Sequence, residues 1–373
     1  MSTLFPDELP EHGAGEDEAT RHVGGLIREC SAPLGAPTSL AHMDPPTPAV
    51  AADIVALNAA ANQNLLHPSL SPLATEAEDT LMRWLTPWFG QSWGFMCAGT
   101  TLGNLNALWA AREAGCRRAV FSTEAHISVP KAAHILGLDT EVLPVDEAGR
   151  MVVSGDLSDA VLVATAGTTG RGAIDPLHRA GARWLHVDAA WGGPLRLTRY
   201  SDRLNGIEAA DSVAVSAHKW FYQPKDSALV MFRDPDVKAS IAFGGAYLAV
   251  PNVGVQGSRS ANGLALLATL MAWGRNGLAA RIEADMERAE GLADWVEAQA
   301  ELELSQRPAC GVVNWRPRSG ASADLARALD GVCSTTRIDG ELWMRNVAAN
   351  PHADLAQVTA AIAAAIDSPH PHP

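Results

Sequence analysis

The chain has 373 residues, of which 47% are hydrophobic and 19% charged, and that balance describes a globular protein with room for two domains and excludes a disordered one. The formal net charge of −14 argues against a phosphate-backbone partner, because nucleic-acid binding needs clustered Lys and Arg. No apolar run is long enough to cross a bilayer, and five scattered cysteines without a CxxC speak against a zinc site or disulfide framework and fit a reducing cytoplasm.

In chain order, residues 1–20 are acidic and Gly-rich and read as a frayed leader. Prolines 33, 37, 45, 46 and 48 then exclude regular helix or central strand from Cys30 to Pro48, so this segment needs a surface to lie on. A helix is expected from Ala49 to Asn62. After the turn at 67–72, Thr75-Glu-Ala-Glu78 reads as a capping box that opens a second helix. Leu81, Trp84, Leu85 and Trp88 fall on one face of that helix and predict a core-facing stripe.

Ser92 to Ala98 is short and apolar, and is followed by Gly99-Thr-Thr-Leu-Gly-Asn104 and a helical run to Arg112. That is a strand, a small-residue turn and a helix start, where backbone N–H groups can cradle an anion. It is also how an ordinary Thr-capped turn looks. No Walker lysine or GxGxxG accompanies it, which excludes the common nucleotide-binding signatures.

Further strands are expected at Arg118 to Thr123, Val161 to Thr165, Trp184 to Val187 and from Asp211 onward, with helical patterns between several of them. Their alternation predicts a parallel or mixed sheet with right-handed crossovers. Polar residues stand at the strand ends: His126, Thr168 and Thr169, Asp188, then His218 and Lys219. Convergence on the carboxyl edge of one sheet is where a site belongs. After Trp273 come a long helix (Leu278 to Ala298), short strands at 302–305, 312–315 and 342–347, and helices at 323–329 and 355–366. The expected organisation is a leader and proline-rich segment (1–48), a large α/β domain (49–275), a small α+β domain (276–367) and a disordered tail (368–373).

Lysine is scarce here, with four among the 28 basic residues, and Lys219 closes a strand. Its amine can form a Schiff base with an aldehyde once deprotonated. An aspartate can keep a pyridine nitrogen protonated, a histidine can stack on a ring, and threonines at a helix start can hold a phosphate. Pyridoxal phosphate uses all four.

At these residues the chain resembles the group II amino-acid decarboxylases, pyridoxal-phosphate enzymes of fold-type I that include aromatic amino-acid, glutamate and short bacterial histidine decarboxylases. The resemblance is carried by 71–85, GTTLGNLNALWAAR (99–112), STEAHISVPKAAHILG (122–137), ATAGTTGRGAID (164–175), LHVDAA (185–190), SAHKW (216–220) and GSRS (257–260), in the family's order. It implies that Lys219 is the Schiff-base lysine, Asp188 the partner of the pyridine nitrogen and His126 the residue stacked on the ring. Thr100, Thr101, Ser216 and His218 fall at phosphate-contacting positions, and Thr169 and Ala190 line the ring. Tyr247, in a Gly-rich loop from Phe243 to Gly257, corresponds to a mobile-loop tyrosine proposed as the proton donor; it reads equally as a packing tyrosine. The implied activity is decarboxylation of a small L-amino acid to its amine by a cytoplasmic homodimer with shared active sites. A carbon–carbon lyase or aminotransferase of the same fold is the alternative.

Departures from the family pattern leave the amino acid open. Leu102 stands where the family often has an acid, and Gln-Pro-Lys-Asp (223–226) is similar to phosphate-lyase relatives of the fold, so Lys225 either meets cofactor phosphate or faces solvent. Arg345 either binds a carboxylate from the small domain or is an exposed strand arginine.

Overall fold

The computed structural model describes residues 4–6, 8–320 and 322–368, and the expected tail beyond residue 368 lies outside them. Its frame is a seven-stranded sheet. The strands are β1 (Trp93–Cys97), β2 (Arg118–Ser122), β3 (Asp139–Leu143), β4 (Ala160–Thr165), β5 (Trp184–Asp188), β6 (Ser212–Ser216) and β7 (Ala228–Phe232). In space they run β1-β7-β6-β5-β4-β2-β3, and β7 alone runs opposite to the other six.

Two-sided burial explains why the central strands are so apolar. Every residue of β4 is buried. Val161 and Val163 belong to one apolar cluster, while Ala160, Leu162 and Ala164 belong to another, the period-2 alternation of a strand covered on both faces.

The helices are α1 (Glu16–Cys30), α2 (Ala49–Ala61), α3 (Pro72–Leu85), α4 (Thr100–Glu113), α5 (Ser128–Leu136), the single turn α6 (Val237–Ser240), α7 (Gly263–Ala298), α8 (Ser322–Ala328) and α9 (Leu355–Asp367). A two-residue pair, β8 (Ala242–Phe243) with β9 (Asn252–Val253), ties down the base of the loop that carries Tyr247. The last sheet holds β10 (Leu302–Leu304), β11 (Val312–Pro317), β12 (Ser334–Ile338) and β13 (Glu341–Val347), all antiparallel in the order β10-β11-β13-β12. It packs with α8, α9 and the end of α7 around Trp315 and Met344.

Several local expectations need correcting. Residues 16–20, read as frayed leader, open α1, which buries none of its side chains. The second helix starts at Pro72, not at a capping box: proline fits the first helical position, and the Thr75 hydroxyl donates back to Ser71 O at 2.9 Å from inside the helix. Glu78 instead accepts from Met96 N and pairs with Arg259 at 2.7 Å. Trp84 is 44% exposed, while Leu81 and Leu85 are buried, so the stripe is narrower than its spacing suggests. The helix expected from Leu278 starts a few residues earlier, after a break in helical geometry at Gly274 (φ 62°), and a further helical stretch from Gly263 precedes the break.

The Lys219 turn is anchored from α7. Tyr222, at φ 59°, donates its hydroxyl to Asp285 at 2.7 Å, and Arg288 donates to the same carboxylate at 2.5 Å. Tyr222 and Asp285 are both buried. Tyr222→Phe removes one donor from a buried carboxylate, and is expected to cost about 1–3 kcal/mol. The check is a lower urea midpoint at unchanged m; an unaltered midpoint would show that the network does not hold the turn.

Candidate active site

Parallel strands put their carboxyl ends on one edge, and the site is built there. β5 ends on Asp188, β4 on Thr165 and β6 on Ser216, two residues before His218 and Lys219. The turn after β1 delivers Gly99 and the start of α4 to the same place. A cavity of about 160 Å³ opens between them. Its walls include all nine residues expected to bind a cofactor: Thr100, Thr101, His126, Thr169, Asp188, Ala190, Ser216, His218 and Lys219.

Asp188 lines the cavity and is buried. Its Oδ2 accepts from the Asn104 amide at 2.8 Å and its Oδ1 from the Ala190 N–H at 3.1 Å. Two accepted hydrogen bonds are the pattern of a carboxylate. Lys219 has its pKa pushed below the usual lysine range by burial, against the opposing pull of Asp188. His126 is held through Nδ1 by the Ser128 hydroxyl at 2.8 Å, and burial lowers its pKa. His218 is pushed down to about 4 by burial and by its lysine neighbours, so its ring is neutral near pH 7. The hydroxyls of Thr100 and Ser216 bond each other across the start of α4, where the first N–H groups have no intrahelical partner.

This donor set fits a phosphorylated pyridine aldehyde. The lining offers a helix N-terminus with hydroxyls for an anion and a carboxylate for a ring cation. The Thr165 hydroxyl, on the cavity wall, is buried without a partner. Gly99 (φ 86°) faces open space with nothing within 4 Å of where a Cβ would sit.

Two of the expected residues stand elsewhere. Tyr247 is 74% exposed, and its ring meets that of His67 edge-on at 6.4 Å, away from the cavity lining. Lys225 faces solvent and pairs with Asp44. Arg345 is only 7% exposed and donates to Thr169 O at 2.7 Å and Ser334 Oγ at 3.0 Å, with no ion pair among the described residues. Burial pushes its pKa down to about 10.

Sequence reasoning passed over Asn104, Ser128 and Thr165. Ser128 was legible, two residues past His126, whereas Asn104 at i+4 from Thr100 shares its helix face, a signal that alone does not separate a site residue from a solvated one.

Comparison with known proteins agrees with this geometry. Residues 4–318 match the family model described as the pyridoxal-dependent decarboxylase conserved domain. The chain is 32% identical to L-2,4-diaminobutyrate decarboxylase of Rhizobium meliloti, over 92% of this chain and 80% of that protein. It is 28% identical to aspartate 1-decarboxylase of Aliivibrio fischeri, over 86% and 71% respectively. Among solved structures, mouse CSAD superposes with a TM-score of 0.85 at 23% identity, over 96% of this chain and 89% of that one. With a family model over most of its length and a cavity that offers the groups the cofactor requires, this chain belongs to the pyridoxal-phosphate-dependent amino-acid decarboxylases of fold-type I.

Proposed function

We propose that the protein removes the carboxyl group of a small L-amino acid, with pyridoxal phosphate held on Lys219. The observation that carries this reading is the cavity that joins Lys219, Asp188, His126 and the Thr100–Ser216 hydroxyl pair. Bound there, the cofactor supplies a protonated pyridine that takes up the electron pair left when carbon dioxide departs.

The remaining roles fall to the protein. A lysine amine with a lowered pKa is neutral, and therefore nucleophilic, for more of the time. The Asp188 carboxylate stabilises a cation at the ring nitrogen. Thr100, Thr101, Ser216, His218 and the first turn of α4 hold the phosphate. His126 covers one face of the ring, and Thr169 and Ala190 border it. Arg345, a buried guanidinium with no carboxylate partner among the described residues, is the group a substrate carboxylate would meet.

We further propose that the working unit is a homodimer in the cytoplasm. Exposed Val23 and Ile27 on α1, and Phe243, Tyr247, Val250 and Val255 around the β8–β9 loop, support a second copy as cover. In that assembly Tyr247 would serve as proton donor in the partner's cavity. All five cysteines are free thiols, which supports a reducing compartment.

The relatives are named for substrates of opposite side-chain charge, diaminobutyrate and aspartate, so both belong in the first test. Carboxyl-labelled amino acids, offered in turn, are expected to release labelled carbon dioxide from at least one, and only with pyridoxal phosphate present. Transfer of the amino group to a keto acid without carbon dioxide would replace this reading with an aminotransferase. Borohydride reduction followed by peptide mapping is expected to fix the cofactor on Lys219; a label on Lys131 or Lys225 would overturn the site.

Asp188→Asn keeps shape and loses charge. An adjacent carboxylate supports a cation by about two pKa units, or about 2.7 kcal/mol, so turnover is expected to fall about a hundredfold while the cofactor still binds. Near-normal turnover would remove Asp188 from this role.

A further inference from the structure

Behind the cavity runs a continuous line of buried polar groups that the reaction does not touch. Trp184, His186 and Asp188 occupy alternate positions of β5 and so share one face. Trp184 Nε1 donates to Ser212 Oγ at 2.9 Å, and His186 Nδ1 lies 2.9 Å from the same hydroxyl. His186 Nε2 is 3.0 Å from Asn104 Oδ1. The Asn104 amide nitrogen is 2.8 Å from both Asp188 Oδ2 and Ser128 Oγ, and Ser128 Oγ is 2.8 Å from His126 Nδ1. Asn104, His186 and Ser212 have no exposed surface.

The order of the protons follows from the ends. An indole can only donate and a carboxylate can only accept, so the line runs from Trp184 to Asp188. The Ser212 hydroxyl accepts from Trp184 and donates to His186 Nδ1. Burial pushes His186 down to about 4, so its ring is neutral and carries its proton on Nε2, which donates to Asn104. The Asn104 carbonyl is thereby turned to His186, and both amide hydrogens go forward, one to Asp188 and one to Ser128. Ser128, having accepted, donates to His126 Nδ1, which also receives the Ser128 N–H at 3.2 Å. The opposite arrangement starts with His186 Nδ1–H on the Ser212 carbonyl at 3.2 Å. It turns the Asn104 carbonyl onto Asp188, acceptor against acceptor, and only a protonated Asp188 relieves that.

We infer that Asn104 is the positioning residue of this active site, locking Asp188 as a two-fold hydrogen-bond acceptor and His126 as the tautomer with its proton on Nε2. The inference rests on the reading that Asp188 and His126 hold the cofactor. It reaches further, because one amide sets the state of both groups from outside the cavity lining.

The test uses the full-length protein and pyridoxal phosphate. Asn104→Leu keeps the branched outline and number of heavy atoms and removes every hydrogen bond of the amide. With the melting temperature of the apoprotein as a control for folding, it is expected to weaken the cofactor dissociation constant about tenfold and to shift the visible absorption band. It is also expected to lower kcat about 10- to 100-fold, with KM changed less than about twofold. Because Asn104 reaches the ring nitrogen through Asp188 and His126 through Ser128, adding Asn104→Leu to Asp188→Asn should lose the Asp188 share of its effect and weaken binding no more than Ser128→Ala does in that background. Ser128→Ala, which cuts only the His126 branch, should instead multiply with Asp188→Asn. Asn104→Asp, a nearly identical shape that sets a second acceptor against Asp188, serves if the leucine variant fails to fold, and the same losses are expected. Wild-type cofactor affinity in a folded Asn104 variant, or equal losses with and without Asp188→Asn, would overturn the inference. The cofactor titration needs no substrate, so a protein that released no carbon dioxide would defeat the proposed reaction and leave this test standing.

Discussion

A buried carboxylate needs hydrogen-bond donors from the protein, and Asp188 sits at the end of a central strand buried on both faces. Meeting that requirement shapes much of the sheet. The face of β5 toward α4 gives up apolar packing at His186, β6 places Ser212 in register beside it, and α4 turns Asn104 inward one turn after Thr100. Leu185 and Val187 on the other face remain in the apolar core. The cofactor end of the sheet is therefore polar in depth and not only at its rim. That agrees with a site that must hold a ring cation in one orientation.

The second half of the chain acts on the site indirectly. α7 spans both sheets and fastens the Lys219 turn through Asp285 and Tyr222, while β13 brings Arg345 back over Thr169. The proline-rich segment has neither helix nor strand between residues 31 and 48, as its prolines require, and lies against β13: Val347 N donates to Leu40 O, and Arg345 Nη1 reaches Ala41 O at 3.4 Å. A segment without elements of its own is thus held by backbone pairing with the small sheet. Its Asp44 pairs with Lys225, which draws that lysine away from the cavity.

What was legible in the sequence divides along physical lines. β1, β2, β4, β5 and β6 announced themselves because two-sided burial demands continuous apolar runs, and the residues closing most of them fell on one edge by topology alone, whereas β7 (Ala-Leu-Val-Met-Phe), as apolar and as buried, was passed over. β12 was not legible: its Ser-Thr-Thr-Arg-Ile is half exposed and carries too little apolar pattern. β3 failed for the same reason, since three of its five residues face solvent. Trp84 shows the limit of periodicity, which places a side chain on a face and says nothing of whether another element covers it. Asn104 shows another. A polar residue inside a helix looks like a solvated position until the strand beneath it is known to carry a histidine and an aspartate.

Tyr247 is where the proposed homodimer bears on the site. Its ring is exposed, its neighbours Phe243, Val250 and Val255 are exposed with it, and β8 and β9 fasten only the base of the loop. Isolated apolar side chains on a surface are ordinary, but four within 13 residues of a glycine-rich loop make a patch that water covers poorly. The cavity meanwhile keeps His126 and Thr169 open at its rim. A loop with apolar residues to bury and a cavity rim to be covered are complementary needs. In the proposed homodimer a second copy of the chain would meet both at once, and the water excluded would strengthen every charge interaction at Lys219 and Asp188.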